Sequence, residues 1–577
     1  RRLLILPAGN NPDGNINNME LCLVDAIGPF FKGYDRKRIN WSKIPFHHLS
    51  VRGEARADQF AQIRSDMEQF ARRVVAIGFN AVTLDDLAHL TDHPWYESCV
   101  RERIGVFQEE FHWLFDMLRQ QGLGIYVTAD LMTYTPESKR RVGNSLKANI
   151  DFLKELIDSF LHEFPQVDGL IFRIGESDGV DVRDELRSEL FFRSPASLNK
   201  ALRAVLPIFE AHGKRMILRT WTVGAYRVGD LMWHRRTFAR TLHGIRSDFF
   251  AVALKHGESD FFRYLSVNRS FFRTDIAKII ELQSKREYEG CGEFPSFIGW
   301  DYAQYAEELS QARNILGISV WCQTGGWTRF RRLAYVDRGS PWTELNTFVT
   351  LRIFRDGRSV EDAVAEYVDE PHYAHMLEFL RLSDEVIKEL LYTPEFASQR
   401  LFFRRVRIPP LIGVYWSTIF LNHSLRKVLR YFVKDPEACV RQGHSAMKKI
   451  RQMKRLAAEM DLPVDDIVYM QRTLKILALG REYFFLPYDE SIRKRLIAAR
   501  KKYKKTYPNG SRPRYRICLD FKPFRVRRRF IHWFLAIALR RRHGYRLLDQ
   551  VFTMHFLALV YRAIPVSYTH LRAHETY

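Results

Sequence analysis

The chain has 577 residues, long enough for one large domain and at least one more. With 46% hydrophobic and 14% aromatic residues it is a folding sequence, not a disordered one, and no run reaches the roughly 18–20 apolar residues a membrane span needs. The net charge of +23 is unevenly placed: residues 1–400 balance at −3, with 52 Lys+Arg against 55 Asp+Glu, and residues 401–577 carry +26, with 38 against 12.

Residues 1–45 read as an N-terminal segment preceding the first domain. From 46 onward, short β-rich runs alternate with amphipathic helices. FHHLSV (46–51) reads as a first strand. The helix after it places Phe60, Ile63, Met67, Phe70 and Val74 at helical spacing. AVTLDDL (81–87) is the second strand. A helix through FQEEFHWLFDMLRQQG stops at Gly122, and GIYVTADL (124–131) is the third strand. The helix DFLKELIDSFLHEF precedes GLIFRIGE (169–176). RMILRTWT (215–222), FFAVALKHG (249–257), KIIELQSKRE (278–287) and ILGISVWCQ (315–323) supply four more strands, and the helix TELNTFVTLRIF closes the pattern.

Continuous apolar strands mean burial on both faces, hence a parallel sheet covered by helices. Eight strand–helix units over 46–356 predict an α/β fold, a (β/α)₈ TIM barrel. A doubly wound open sheet fits less well, because no GxGxxG follows the first strand. After residue 357 the pattern turns helical, over 360–368, 375–391, 421–432 and 440–460, giving a helical region 357–565 that is basic from about 401. KKYKKTYPNGSRPRYR (501–516) reads as an exposed loop, and RRRFIHWFLAIALRRR (527–542) as an apolar helix bracketed by arginines. The tail VSYTHLRAHET (566–576) resembles a translated sequencing adapter and is set aside as non-native.

Barrel enzymes carry their chemistry at the C-terminal ends of the strands. Glu176 ends the fourth strand, Asp260 follows the sixth and Glu287 ends the seventh. Arg173, Arg219 and Lys255 lie at the same level, with Asp85 at the end of the second strand and aromatic residues at Trp221, Tyr288, Trp321 and Trp327. Paired carboxylates suit glycoside hydrolysis, one protonating the leaving oxygen and another activating water or attacking the sugar. Aromatic faces suit the C–H side of a sugar ring, and cations suit a substrate that carries a carboxylate. Each residue also has a plain reading: Glu176 paired with Arg173 or Arg219, Asp260 as a helix cap, Glu287 paired within its KRE run, Arg173 and Lys255 balancing barrel acids. Six scattered cysteines without a CxxC, and a His47–His48 pair without a third ligand, give no metal site.

These strand ends resemble glycoside hydrolase family 67, the α-glucuronidases, and more loosely family 115, over residues 46–370. RIGESDG aligns with the family's acid-bearing fourth strand, KHGESDF with its K-N-G-P-I-D-F, and ELQSKREYEG with its E-L-Q-I-T-Q-E-Y-x-G. His256 and Glu258 replace the family's Asn and Pro, and the Q-P-G-P continuation of the acid loop is missing. The resemblance implies an exo-acting, inverting enzyme that releases a terminal α-linked uronic acid from an oligosaccharide or acidic polysaccharide. Glu176 would be the acid, and Asp260 and Glu287 the pair that holds and deprotonates water. Arg173, Arg219 and Lys255 would bind the uronate, and no cofactor is implied. The rival reading is a barrel that has lost catalysis and only binds acidic glycan.

The basic C-terminal region predicts contact with an anionic surface, an acidic glycan or anionic lipid. Zinc-finger, RNP and basic-zipper motifs are missing, which argues against nucleic acid. The plain alternative has these helices packing on the barrel or pairing as a homodimer, with the charge on a solvated face. Few cysteines and no visible export signal lean cytoplasmic.

Overall fold

The structure, a computed structural model, describes residues 19–34, 43–174, 184–221, 231–232, 235–325, 332–337, 339–400, 402–403, 406–511 and 513–522, with isolated positions to 540. Its centre is a closed barrel of eight parallel strands: β1 (Leu21–Asp25), β2 (Ala81–Asp85), β3 (Gly124–Asp130), β4 (Gly169–Arg173), β5 (Arg215–Arg219), β6 (Phe250–Lys255), β7 (Ala277–Gln283) and β8 (Ile315–Trp321). Each strand pairs with its sequence neighbour, and β1 pairs with both β2 and β8 to close the ring.

Seven strands are those expected; the first is not. Residues 46–48 form a short 3-10 turn, and the opening stave is LCLVD, buried along its whole length. The barrel therefore begins within the stretch 1–45 that reads as a preceding segment. FHHLSV has another task. Phe46 stacks on the His89 ring at 4.3 Å, and the backbone N–H of Ile44 donates to Asp85 at 2.9 Å, so this segment covers the ends of the staves instead of joining them.

The β1–β8 seam depends on a missing side chain. A Cβ at Gly317 would lie 1.7 Å from the Leu21 carbonyl oxygen, so only glycine lets these two backbones approach. Outside the strands lie helices α1 (Gly53–Ile77), α2 (Ser98–Gln120), α3 (Leu146–Glu163), α4 (Pro195–His212), α5 (Arg235–Thr241), α6 (Gly299–Leu309) and α7 (Pro341–Asp356). The five apolar residues that mark α1 in the sequence are all buried, because residues at this spacing share one helix face.

The C-terminal region is mainly helical: α8 (Val360–Tyr367), α9 (Tyr373–Leu391), α10 (His423–Phe432), α11 (Pro436–Glu459), α12 (Val464–Phe485) and α13 (Glu490–Thr506). It also holds a small sheet, in which β9 (Val414–Tyr415) pairs antiparallel with β10 (Thr418–Asn422), and β10 parallel with β11 (Arg516–Asp520). The expected loop 501–516 is shorter than read: 501–506 are helical, and turn or irregular chain runs over the described residues from 507 to 515. α13 continues to Thr506 because Ile492, Leu496 and Tyr503 keep a buried stripe along it, and the strand takes over at Arg516. Residues 527–542 lie almost wholly outside the described residues. Among the described residues, no helix is long and apolar enough to cross a membrane.

This region packs on the loop after β7. Buried Arg263 grips both Glu289 of that loop, at 2.7 and 3.0 Å, and Asp384 of α9. Tyr392 donates to Glu289 at 2.8 Å, and Trp342 of α7 donates to Asp466 of α12 at 2.7 Å. The loop that carries Glu287 and Tyr288 is thus held from both sides.

Candidate active site at the barrel mouth

Strand residues two apart face the same way. Leu21, Leu23, Ala81, Tyr126, Ile171, Ile217, Ala251, Ala253, Ile279 and Leu316 form one inward-facing apolar cluster, the plug of the barrel. Further along the strands the chemistry changes: Asp25, Arg173, Arg219, Lys255 and Glu281 stand two residues past a member of that cluster, Asp85 and Asp130 four, and Trp321 five past Leu316 across the bulge at Ile315/Gly317. The mouth is a ring of charge on an apolar floor. Asp25, Asp85, Arg173, Arg219, Glu281 and Trp321 line a partly open hollow of ≈40 Å³, room for water and not for a sugar ring; counting the space open to solvent, the volume is ≈530 Å³. A sugar would therefore sit above this layer.

On the β2–β4 side the charges close on one another. The Arg173 guanidinium lies 3.3 Å from Asp130 and 3.8 Å from Asp85, and Lys43 also contacts Asp130. Burial pushes the Asp85 carboxyl up to about 7, against the pull of Arg173. Beside it, His89 bridges Asp86 and Asp184 at 3.1 Å each. Burial opposes charge on that ring, but the flanking carboxylates, Asp184 first, raise it to about 9. Burial likewise works against an ionised Asp86, yet the hydrogen bond from His89 holds it down at about 2.

On the β5–β8 side one pair is as buried as these and one is partly open. Arg219 binds Glu281 through two nitrogens, at 2.7 and 3.3 Å, and lies over the Trp321 ring at 4.3 Å. Lys255 donates to Asp260 at 2.6 Å and packs against Trp221 at 4.1 Å and Phe261 at 4.3 Å. Tyr288 donates its hydroxyl to the other Asp260 oxygen. Burial alone would raise Asp260; Lys255 and then Tyr288 outweigh it and hold the carboxyl below its ordinary range. The Asp260 side chain still keeps 21% of its surface, against 1% for Arg173. Glu287 is pinned reciprocally: Gln283 donates to its carboxylate at 3.2 Å and accepts its backbone N–H at 3.1 Å. The neighbouring His256, stacked among Phe261, Tyr302 and Tyr305, is driven by burial down to about 3 and stays neutral.

Of the residues singled out in the sequence, Asp85, Arg173, Arg219 and Trp321 share the hollow, while Lys255, Asp260, Trp221, Tyr288 and Glu287 form a second group beside it. Glu176 and Trp327 lie outside the described residues. Four mouth residues went unread: Asp25, Asp130, Glu281 and Gln283. Asp25 accepts the backbone N–H groups of Cys322 at 2.6 Å and Gln323 at 3.0 Å, fixing the turn after β8. Continuing the period-2 alternation one residue past each apolar run would have found Asp25, Asp130 and Glu281. Tyr415 and Trp416 also reach Tyr288, with ring centroids 5.7 and 6.5 Å away, and no strand pattern marks them.

Among the described residues, Asp158, His162 and His212 could together hold a metal ion. They sit toward the C-terminal ends of α3 and α4, which the strand–helix alternation puts at the opposite end of the barrel from the mouth.

No protein-family model matches the chain, and no curated protein does. Solved structures do. The chain is similar to a glycoside hydrolase family 138 enzyme targeting pectin rhamnogalacturonan II, at 11% identity and a TM-score of 0.52, over 86% of this chain and 63% of that one. It thus spans less than two thirds of that enzyme's length. Weaker likenesses are an O-GlcNAc hydrolase of Thermobaculum terrenum (13% identity, TM-score 0.38, 77% of this chain and 85% of that one) and a β-glycosidase from Pyrococcus horikoshii (12%, 0.35, 63% and 99%). The likeness to the family 138 enzyme, over most of this chain, is one of fold, in keeping with the closed (β/α)₈ barrel.

Proposed function

We propose that the protein is an exo-acting, inverting glycoside hydrolase that releases a terminal α-linked, glucuronic-acid-like uronic acid from an oligosaccharide or polysaccharide. The observation that carries this reading is Asp260, a carboxylate held ionised by Lys255 and Tyr288 yet still open to solvent, next to the pinned Glu287. A group that stays ionised is a base, not a proton donor. In this reading Asp260 and Glu287 orient a water and take its proton, and Glu176, three residues beyond Arg173, protonates the departing sugar oxygen. Lys255 and the floor cations Arg173 and Arg219 give the positive field a uronate carboxylate would meet, and Asp85 would accept from a sugar hydroxyl. The aromatic residues Trp221, Tyr288 and Trp321 would receive the C–H faces of the ring. A neighbour that targets pectin agrees with a polysaccharide substrate.

The basic C-terminal region joins this reading as the surface that holds the enzyme on an acidic polymer. A groove of ≈680 Å³ between α11 and α12 is lined by Lys448, Lys449, Arg451, Lys454 and Arg455 with Ser445, Gln452 and Gln471. Its contact with acidic polysaccharide should weaken steeply between low and moderate salt.

The test is release of free uronic acid from an α-uronosyl oligosaccharide, with the anomer of the first product read by NMR. Turnover with inversion that disappears in Glu176→Gln and Glu287→Gln supports the assignment. A product of retained configuration would remove the two-base arrangement, and saturable binding without turnover would favour the glycan-binding rival.

A further inference from the structure

Tyr415 and Trp416 come from the C-terminal region, yet they stand over the barrel's carboxylates. Tyr288, whose hydroxyl binds Asp260, has its ring 5.7 Å from Tyr415 and 6.5 Å from Trp416, inclined at 38° and 18°. The two rings are themselves 4.3 Å apart. Burial first, then the negative field of Asp260 and Glu287, keeps the Tyr415 hydroxyl protonated well above its ordinary range. Yet Tyr415 remains 36% exposed, an aromatic face left open beside two carboxylates.

The mounting is rigid. Trp416 and Ser417 form the two-residue turn between β9 and β10, with Tyr415 opposite Thr418. The Ser417 carbonyl accepts the Arg516 N–H at 2.8 Å, which ties the turn to β11. Trp416 has φ +46°, where glycine or asparagine is at home and a bulky side chain costs on the order of 1–3 kcal/mol. Its ring is partly buried against the hydrophobic core and lies beside Tyr288 and Tyr415.

We infer that Tyr415 and Trp416 form an aromatic platform for the second sugar of the substrate, the ring on the leaving-group side, presenting its apolar C–H face. This rests on the hydrolase reading above for its direction. The charged floor leaves only a water-sized hollow, so the terminal uronate lies above it against Lys255 and Asp260, and the next sugar lies further out, at the level of the exposed Tyr415 ring. The platform makes the C-terminal region part of the site, not an appendage.

The test compares two substrates, an α-glucuronosyl disaccharide and α-glucuronosyl fluoride, which has no second ring. In Tyr415→Ala the ratio of kcat/KM for the disaccharide to that for the fluoride should fall about tenfold, the loss of one aromatic contact. Tyr415→Phe, which keeps the ring, should hold that ratio within about twofold. Trp416→Gly relieves φ +46° but also removes a ring packed on the core, so the ratio is read at a temperature where the variant is shown to be folded; it should fall as in Tyr415→Ala. An unchanged ratio in both Tyr415→Ala and Trp416→Gly would overturn the platform. If the wild-type chain cleaves neither substrate, the hydrolase reading fails and the platform is judged by itself. Quenching of tryptophan fluorescence by the disaccharide should then give an affinity about tenfold weaker in Tyr415→Ala, and equal affinity, or no saturable binding, overturns the platform.

Discussion

The two halves of the barrel mouth use the same residue types to opposite ends. On the β2–β4 side, Arg173, Lys43 and His89 are spent on Asp85, Asp86, Asp130 and Asp184, and the network is buried, meeting water only where Asp85 and Arg173 line the small hollow. On the β6–β7 side, Lys255 and Tyr288 hold Asp260 at an edge where solvent still reaches it. A buried ion pair satisfied from all sides organises a fold; one with an open edge can exchange a water or a sugar hydroxyl for part of its surroundings. The comparison teaches that charge at a barrel mouth is not by itself a catalytic signal. Residual access is.

The sharpest way to break this contrast is at Asp260. Asp260→Asn keeps the shape and removes the base, so turnover of a uronosyl substrate should fall about 10²–10⁴-fold with the fold intact. Loss of less than about tenfold would place the base elsewhere. Tyr288→Phe sharpens the same point through pH. Tyr288 is one of the three groups, with Lys255 and the Phe261 backbone N–H, that hold the Asp260 carboxyl low, so its removal should raise that carboxyl and move the acidic limb of the kcat/KM profile to higher pH.

The β2–β4 half answers to stability instead. Arg173→Met leaves Asp85 and Asp130 buried without their shared cation, which should cost about 3–5 kcal/mol, read from the urea midpoint. A loss under about 1 kcal/mol would mean that water reaches this side beyond the small hollow, and the two halves would not differ as described.

Most of the barrel was legible because its staves are unbroken apolar runs, which only a doubly covered sheet explains. β1 was missed although LCLVD has the same character: it is five residues long, far upstream of β2, and FHHLSV offered a nearer apolar run. The site was legible where a charge ends a long apolar run, as at Arg173, Arg219 and Lys255. Glu281 was hidden inside KIIELQ, where the eye reads a strand interior although the period-2 alternation turns it inward. Tyr415 was beyond reach, because its place depends on how a region more than a hundred residues downstream docks on the β7 loop through Tyr392 and Glu289.

The β2–β4 half should also carry a pH signature opposite in sign to that of His256 on the other side. His89 is raised to about 9, so its contribution is fully present below its unfolded value near 6.5 and lost as pH rises through 9. Asp85 is raised to about 7, so stability falls as pH climbs from its unfolded value near 3.8 to 7, the folded state resisting ionisation that the unfolded chain accepts. Both act in one direction. Their share of the stability should decline from about pH 4 to 9, against the rise up to about pH 6.5 that His256, held neutral down to about 3, contributes; the decline is therefore read in melting temperatures as a difference from the parent chain, removed below about pH 7 in Asp85→Asn and between about 6.5 and 9 in His89→Gln. A slope unchanged in both variants would assign the decline to other groups.

The smallest effect tests the boundary between the halves, where Arg219 and Glu281 are as buried as the β2–β4 pairs and, like Asp85 and Arg173, line the hollow. Arg219→Lys keeps the charge, so no carboxylate is stranded. What goes is geometry: a lysine reaches one Glu281 oxygen where the guanidinium spans both, and it gives up the flat contact with Trp321. The expected cost is about 1–2 kcal/mol in urea unfolding, the order of one charge-assisted hydrogen bond. If Arg219 serves only the fold, kcat/KM should follow that modest loss and stay within about twofold. If it also meets the uronate, as proposed, KM for a uronosyl substrate should rise more than stability falls, because a bidentate grip on a second carboxylate disappears with the first. The ratio of the two effects, not their size, decides on which side of the mouth this pair belongs.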